Sequence, residues 1–329
     1  MSDIRDEMLR TLDRVVEATL SIAEREKSDA GGTSDKLWAA LVEQGMTALG
    51  EADSEIPFAD AMELVARSAF HAVPVPLAET IIARRLLSHA GIALPDGAIT
   101  LAARQSGALQ LSGVPFGRSV GHVVMADGDS LQLLATTGAC VRKTHNQAGE
   151  PRDAIDIARC KTVSSKPLPN AARILVTEGA LIRSVQLAGA LSRTLEHCMV
   201  WVNVRVQFGK QIARFQAIQH SMAVMASEVA AARAAVDMAI EASAKDADWL
   251  AVAVAKSRCG EAAGKVANGA HAAFGAMGFT REHQLHYATR RLWAWRDDFG
   301  SEVVWQTELG RHFASKGGDQ LWSALTANG

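Results

Sequence analysis

The sequence lacks an excess of charge of either sign, a cysteine pattern, an internal repeat and a low-complexity tail. Its 34 Lys+Arg stand against 36 Asp+Glu, a formal net charge of −2. Bulk charge therefore offers nothing for a nucleic acid or a membrane surface to grip. The four cysteines, Cys140, Cys160, Cys198 and Cys259, show no CxxC or metal-ligand spacing. Reduced thiols and a cytoplasmic location are the expectation. No uninterrupted apolar run approaches the roughly 20 residues of a membrane helix. The charged start MSDIRDEMLR has no apolar centre of a signal peptide. His283 and His286 have HxxH spacing, but no carboxylate or third ligand accompanies them, so no metal is expected.

What is present is a long chain with an ordinary apolar content. Its 329 residues, 48% hydrophobic, suffice for a large core and two or three domains. Residues 1–96 read as helices. Ile4, Met8, Leu9, Leu12, Val15 and Val16 recur at three and four, and Ser34 after Gly31-Gly32 is placed to cap the helix of Leu37, Trp38 and Leu41. Two further helices are expected from Ala59 to His71 and from Glu79 to His89, with Pro74 and Pro76 between them. Over 97–172 the period becomes alternating. HVVMA and LQLLA flank the turn residues Asp127-Gly128-Asp129-Ser130, and CVRKTH and IDIARC read as further strands. Residues 173–329 return to helix. Met222, Met225, Val229, Ala232, Val236 and Ile240 form a bundle stripe, and the glycines of 251–273 would let helices or subunits approach closely.

One stretch organises the rest: Arg205 to His220, RVQFGKQIARFQAIQH. Helix-forming residues run into it from Leu181 and out of it from Ser221, with Phe208-Gly209 between, where a long helix would stop. This predicts an αα-hairpin whose turn carries Arg205, Gln207, Lys210 and Gln216. Such a turn is either an anion-facing corner, since guanidinium holds phosphate oxygens in a two-pronged contact, or a solvated connection between helices.

The pattern Arg-x-Gln-Phe-Gly-Lys-x-Ile-x-x-Phe-Gln-x-x-x-His resembles the signature turn of the acyl-CoA dehydrogenase family, FAD enzymes that oxidise acyl-CoA thioesters. A second stretch, FGAMGFTRE from Phe274 to Glu282, is similar to the family's Gly-rich turn. LWAALVEQGMTALG and AVPVPLAETIIARRLLSHAG resemble its N-terminal helices. The resemblance implies a mainly α fold: an N-terminal helical domain (1–96), a reduced middle β-domain (97–172) and a C-terminal four-helix-bundle domain (173–329). It implies that Arg205 meets the pyrophosphate of a neighbouring subunit's FAD. Gln207, Phe208, Ile212, Phe215 and Gln216 would line the adenosine side, and the backbone at Gly275 and Gly278 would approach the anion. Ala272 stands where the family carries a glutamine.

The resemblance also points to what is missing. Oxidation at Cα–Cβ needs a carboxylate to take the α-proton while hydride leaves Cβ. The family's Tyr-Glu-Gly-Thr loop falls on Asp298-Phe299-Gly300-Ser301, so Phe299 occupies the base position, with Asp298 as the neighbouring candidate. An alternative family position on the first long helix falls near Gly179, beside Glu178. The Thr-Glu-Pro-x-x-Gly-Ser-Asp stretch that normally holds the flavin ring has no counterpart. Arg281, Arg290 and Arg291 are candidates for CoA phosphates or a solvated basic face. Trp293, Trp295, Trp305 and Trp322 are candidates for ligand stacking or for core and interface packing.

Together these readings imply a FAD-dependent acyl-CoA dehydrogenase subunit acting on a bulky thioester such as a steroid side chain. It would pair with a homologous subunit or itself and pass electrons to an acceptor. The alternatives are a self-sufficient homo-oligomer using Asp298 or Glu178, a structural subunit without flavin, and other flavin chemistry such as oxidation by oxygen.

Overall fold

In the computed structural model, residues 2–51, 54–105, 107–280, 282–317 and 319–326 are described. The chain opens with helices α1 (Ser2–Thr19), α2 (Ile22–Asp29), α3 (Asp35–Glu43), α4 (Phe58–Phe70) and α5 (Leu77–His89). Ser34 caps α3 as expected, its Oγ accepting from the Leu37 N–H. Leu12 and Val16 of α1 are buried, while Ile4 lies in solvent.

Strands follow: β1 (Ile99–Ala102), β2 (Gln110–Pro115), β3 (His122–Asp127), β4 (Ser130–Ala135), β5 (Val141–Arg142), β6 (Arg152–Asp156) and β7 (Lys161–Pro167). They form a four-stranded sheet in the order β1-β3-β4-β7 and a three-stranded sheet in the order β2-β6-β5. The β3–β4 hairpin turns at Asp127–Ser130 with Gly128 at φ 59°, as the turn residues predicted. CVRKTH yields only the two residues of β5, and IDIARC gives the end of β6 followed by a 3₁₀ turn at Ile157–Arg159. The Asp156 side chain accepts from the Ala158 N–H and starts that turn. A small separate core of Leu111, Val114, Phe116, Val123, Met125 and Ile155 lies between the sheets.

The rest is helical: α6 (Ala171–Val204), α7 (Gln216–Ala242), α8 (Trp249–Phe274), α9 (Leu285–Asp297), α10 (Glu302–Lys316) and α11 (Asp319–Thr326). By length and composition α6 could cross a membrane, although polar residues interrupt its apolar ones. In the fold, 89% of its most apolar stretch is buried. It is the central strut, packed against α4, α7, α8 and α9. Met222, Met225, Ala232, Val236 and Ile240 of α7 are buried, and Val229 is partly so. The glycines of α8 serve contacts within the chain. A Cβ at Gly260 would stand 2.8 Å from a carboxylate oxygen of Glu302, and one at Gly269 would stand 2.8 Å from the sulfur of Met225.

Between α6 and α7 the expected αα-hairpin is modified. α6 ends at Val204, and Val206–Gln207 (β8) pairs with Lys210–Gln211 (β9) in a two-residue hairpin. Phe208 and Gly209 both have positive φ, 51° and 77°, the signature of a type I′ turn. Gly209 therefore closes a β-turn instead of capping the helix.

Candidate functional site

Two regions carry the residues singled out by the sequence. The first is a corner where the ends of α6 and α8 meet. Trp201, one turn before the end of α6, stacks on Phe274 at the end of α8, with ring centroids 4.7 Å apart and planes 13° from parallel. Its indole N–H donates to the Ala273 carbonyl at 3.2 Å. This stack joins the RVQFGK turn to the Gly-rich turn at Gly275–Phe279, and sequence reasoning missed it.

On that corner Arg205 is exposed, its guanidinium 5.7 Å from the centroid of the Trp201 ring. Gln207 and Gln216 are exposed as well. Phe208 is 91% exposed and meets Phe215 edge-on at 6.1 Å. Lys210 lies 4.3 Å over Phe215. Ile212 is buried and anchors the turn, its N–H donating to the Arg205 carbonyl. Gly275 has φ 60° with open space where a Cβ would project, so its backbone is free for a close approach. Gly278 is packed instead, with Phe274 and His271 on the side where a Cβ would go. His271 is a packed side chain, stacked on Phe279 and hydrogen-bonded to Thr289. With Val200, Val204, Val206 and Phe279 also exposed, apolar side chains surround the Arg205 guanidinium at this corner.

The second region is the loop after α9. Phe299 sits at φ 55°, a strained conformation for a bulky residue. Its ring lies on α6 at Gly179, where an added Cβ would come 2.4 Å from Phe299 Cδ1. The two family-like base positions thus face each other, and one holds an aromatic ring while the other has no side chain.

Asp298 beside it is engaged in ion pairs, with Arg152 at 2.8 Å and Arg183 at 2.9 Å. Arg183 continues to Glu79 at 2.8 Å, and Arg152 to Glu150 at 3.2 Å. Glu150 pairs with Arg291 at 3.0 Å and accepts from the Trp295 indole. Three carboxylates and three guanidinium groups alternate in one chain of contacts, and five of the six are buried. Burial pushes the Asp298 carboxyl up, but the charges of Arg152 and Arg183 outweigh it and hold it below the ordinary aspartate value. Glu150 is held down in the same way by Arg291 and Arg152.

Glu178 is buried and pairs with Arg85 at 3.0 Å. Burial raises its carboxyl above the usual range, against the pull of Arg85. Arg290 is bound to Asp29 at 2.8 Å and to the Gln147 carbonyl, and Arg291 lies inside the buried network. Arg290 keeps some exposure but is held by Asp29, and Arg291 does not face outward. Arg281 lies outside the described residues. Trp295 and Trp305 are core residues, Trp293 packs against the core, and Trp322 is 74% exposed. Two clefts of about 370 and 550 Å³ lie beside Arg85 and between α1, α4, α6 and α7; neither is lined by Gly179, Asp298 or Phe299. Among the described residues no group of three or more His, Cys, Asp or Glu side chains converges as metal ligands would.

Comparison with known proteins bears on both regions. Residues 170–296 match the family described as "Acyl-CoA dehydrogenase, C-terminal domain". The chain is 32% identical over 274 residues to the acyl-CoA dehydrogenase IpdE2 of Mycobacterium tuberculosis, covering 79% of this chain and 81% of that one. Its fold matches a chain of the ChsE4–ChsE5 complex from Mycobacterium tuberculosis with a TM-score of 0.83 at 18% identity, over 94% of this chain and 97% of that one. It matches the Tcur3481-Tcur3483 steroid ACAD with a TM-score of 0.83 at 19% identity, over 96% and 99%. The sequence likeness and the fold thus point the same way, and the chain belongs to the acyl-CoA dehydrogenase family of FAD-dependent oxidoreductases.

Proposed function

We propose that this chain is the base-lacking subunit of a heteromeric acyl-CoA dehydrogenase. In this reading it completes the ADP half of a FAD whose ring and acyl substrate are served by a homologous, glutamate-bearing partner. The observation that carries the reading is the Phe299 ring lying on Gly179 while Asp298 is spent on Arg152 and Arg183. FAD, the family's cofactor, fits this chain unevenly. The corner of Arg205, Phe208 and Gly275 suits a phosphate and an adenine: a guanidinium without a carboxylate, an unpacked ring and an open backbone. The Phe299 side of α6 does not suit a flavin ring with its substrate, because side chains fill it and no carboxylate there is free to take a proton.

The bound cofactor would accept hydride from the substrate's Cβ. Arg205 would hold pyrophosphate oxygens, Phe208, Ile212 and Phe215 would exclude water from the adenosine side, and Gly275 would admit the phosphate to its backbone. The α-proton must then go to a partner carboxylate. Bulky thioesters, steroid-derived ones among them, are the preferred substrate class, supported by the fold likeness to a protein described as a steroid ACAD.

The test is flavin content and stopped-flow bleaching of the chain alone and with its homologue. The expectation is little flavin and no bleaching alone, and both restored by the partner. Rapid bleaching by the lone chain would overturn the proposal.

A further inference from the structure

A cavity lies where α2, the C-terminal end of α4, α6 and the N-terminal end of α9 converge, and none of the residues assigned to the two regions above lines it. Its walls include Arg25, His71, Arg193, His197, Gln284 and Tyr287. It leaves about 20 Å³ for the centre of a water-sized sphere, room for a single small polar guest.

The charges around it do not balance. Arg25 donates one hydrogen bond, to the His71 carbonyl at 2.7 Å, and its guanidinium lies 5.8 Å from the centroid of the Tyr287 ring. Among the described residues no carboxylate lies within ion-pair distance of it, and two of its nitrogens have no partner. Arg193 reaches Glu196 on the outer side at 3.1 Å. Of the other nearby acids, Asp13 is engaged by Arg67 and His71 and Asp29 by Arg290, while Glu26, whose charge reaches Tyr287, is exposed to solvent.

The cavity's cations feel one another. Burial pulls the Arg25 guanidinium down to about 10, reinforced by Arg291 and Arg193. Burial also holds His197 at about 3, aided by Arg193, His283 and Arg25. A half-buried guanidinium that no carboxylate pairs, set near a second one, is destabilised by that field, and an entering anion relieves it.

We propose that this cavity binds an oxyanion of the phosphate type, held by Arg25 and Arg193 with Gln284 and Tyr287 on the same wall. The anion is either free or the head of a larger ligand. A bound anion neutralises the field on His197 and raises its proton affinity.

The experiment is calorimetric titration of the full chain with inorganic phosphate, sulfate and AMP, against chloride at matched ionic strength. Saturable phosphate binding is expected, weakened at least tenfold by Arg25→Gln and by Arg193→Gln and unchanged by Arg142→Gln, a change at an exposed arginine remote from the cavity lining. If Arg25→Gln fails to fold, Arg193→Gln decides. An imidazole NMR titration should show the His197 pKa rising with phosphate present. Binding of phosphate and sulfate without AMP identifies a free anion, whereas AMP binding lost in Arg25→Gln identifies a phosphomonoester. Absence of saturable binding, or binding that survives both cavity variants and disappears in Arg205→Gln, overturns the proposal.

Discussion

Lys256, buried in α8, donates from Nζ to the Gly300 carbonyl at 2.7 Å and to the Arg296 carbonyl at 2.6 Å. It ties the end of α9 to the loop that carries Asp298 and Phe299. With Gly300 at φ 99°, the loop turns back on itself and keeps the Phe299 ring on α6. The closed state of this region therefore rests on a buried ammonium as well as on ion pairs.

Lys256→Met should destabilise the chain by about 1.5–3 kcal/mol at pH 7, the scale of a charge-assisted hydrogen bond lost in the interior. The pH dependence has a definite sign. Burial lowers the Lys256 pKa to about 8, from 10.5. Between those values the unfolded chain keeps a proton that the folded chain has released. This residue's contribution to stability then rises with pH, by at most about 1.4 kcal/mol per unit. Denaturant unfolding at pH 7 and pH 9.5 checks it: the wild type should gain on the variant as pH rises.

Gly179→Ala should cost about 1–3 kcal/mol, because its methyl group would collide with the Phe299 ring unless the loop moves. Thermal unfolding of the single variant and of Gly179→Ala with Phe299→Ala measures this. The second substitution should relieve the collision, so the two effects should not add. Additive losses would mean that the ring does not lie on this glycine.

Asp298→Asn should cost about 3–5 kcal/mol, since it removes the counter-charge that Arg152 and Arg183 share and leaves them only Glu150 and Glu79. The depressed Asp298 pKa makes this contribution fully present above the ordinary aspartate value and lost as pH falls through the lower, folded one. Acid unfolding of wild type and variant should therefore converge at low pH. In a complex with the glutamate-bearing homologue, the flavin reduction rate should not change. A loss of 10²–10⁴ in that rate, about the cost of removing a general base, would instead make Asp298 catalytic.

Arg205→Ala should weaken FAD retention by that complex by about 1.5–3 kcal/mol, the worth of a charge-assisted contact to phosphate. Unfolding of the isolated chain should barely respond, because Arg205 is exposed and, among the described residues, no carboxylate pairs with it. FAD titration by fluorescence separates the two effects. Unchanged affinity would remove Arg205 from the cofactor corner.

By itself the sequence determined the helical and alternating segments, since apolar spacing of three and four or of two is a local property of the chain. It also marked where the two motif turns fall, since Gly209 and Gly275 take positive φ at little cost, but not the positive φ of Phe208, which no local preference supplies. The β3–β4 hairpin was legible for the same reason. The miniature hairpin between α6 and α7 was not, because its two-residue strands are too short to show a period.

Only the tertiary structure decided what the residues around Asp298 do. Its partners Arg152 and Arg183 are 146 and 115 residues away in sequence, and no periodicity relates side chains so far apart. An Asp next to a missing base reads as a substitute base when its neighbours are unknown. Two guanidinium groups at hydrogen-bond distance make it a counter-ion. The same holds for Arg25, an ordinary surface-helix arginine in the sequence, which packing brings beside Arg193 and His197. A charge's role depends on the field and solvent around it, and those are properties of the folded chain.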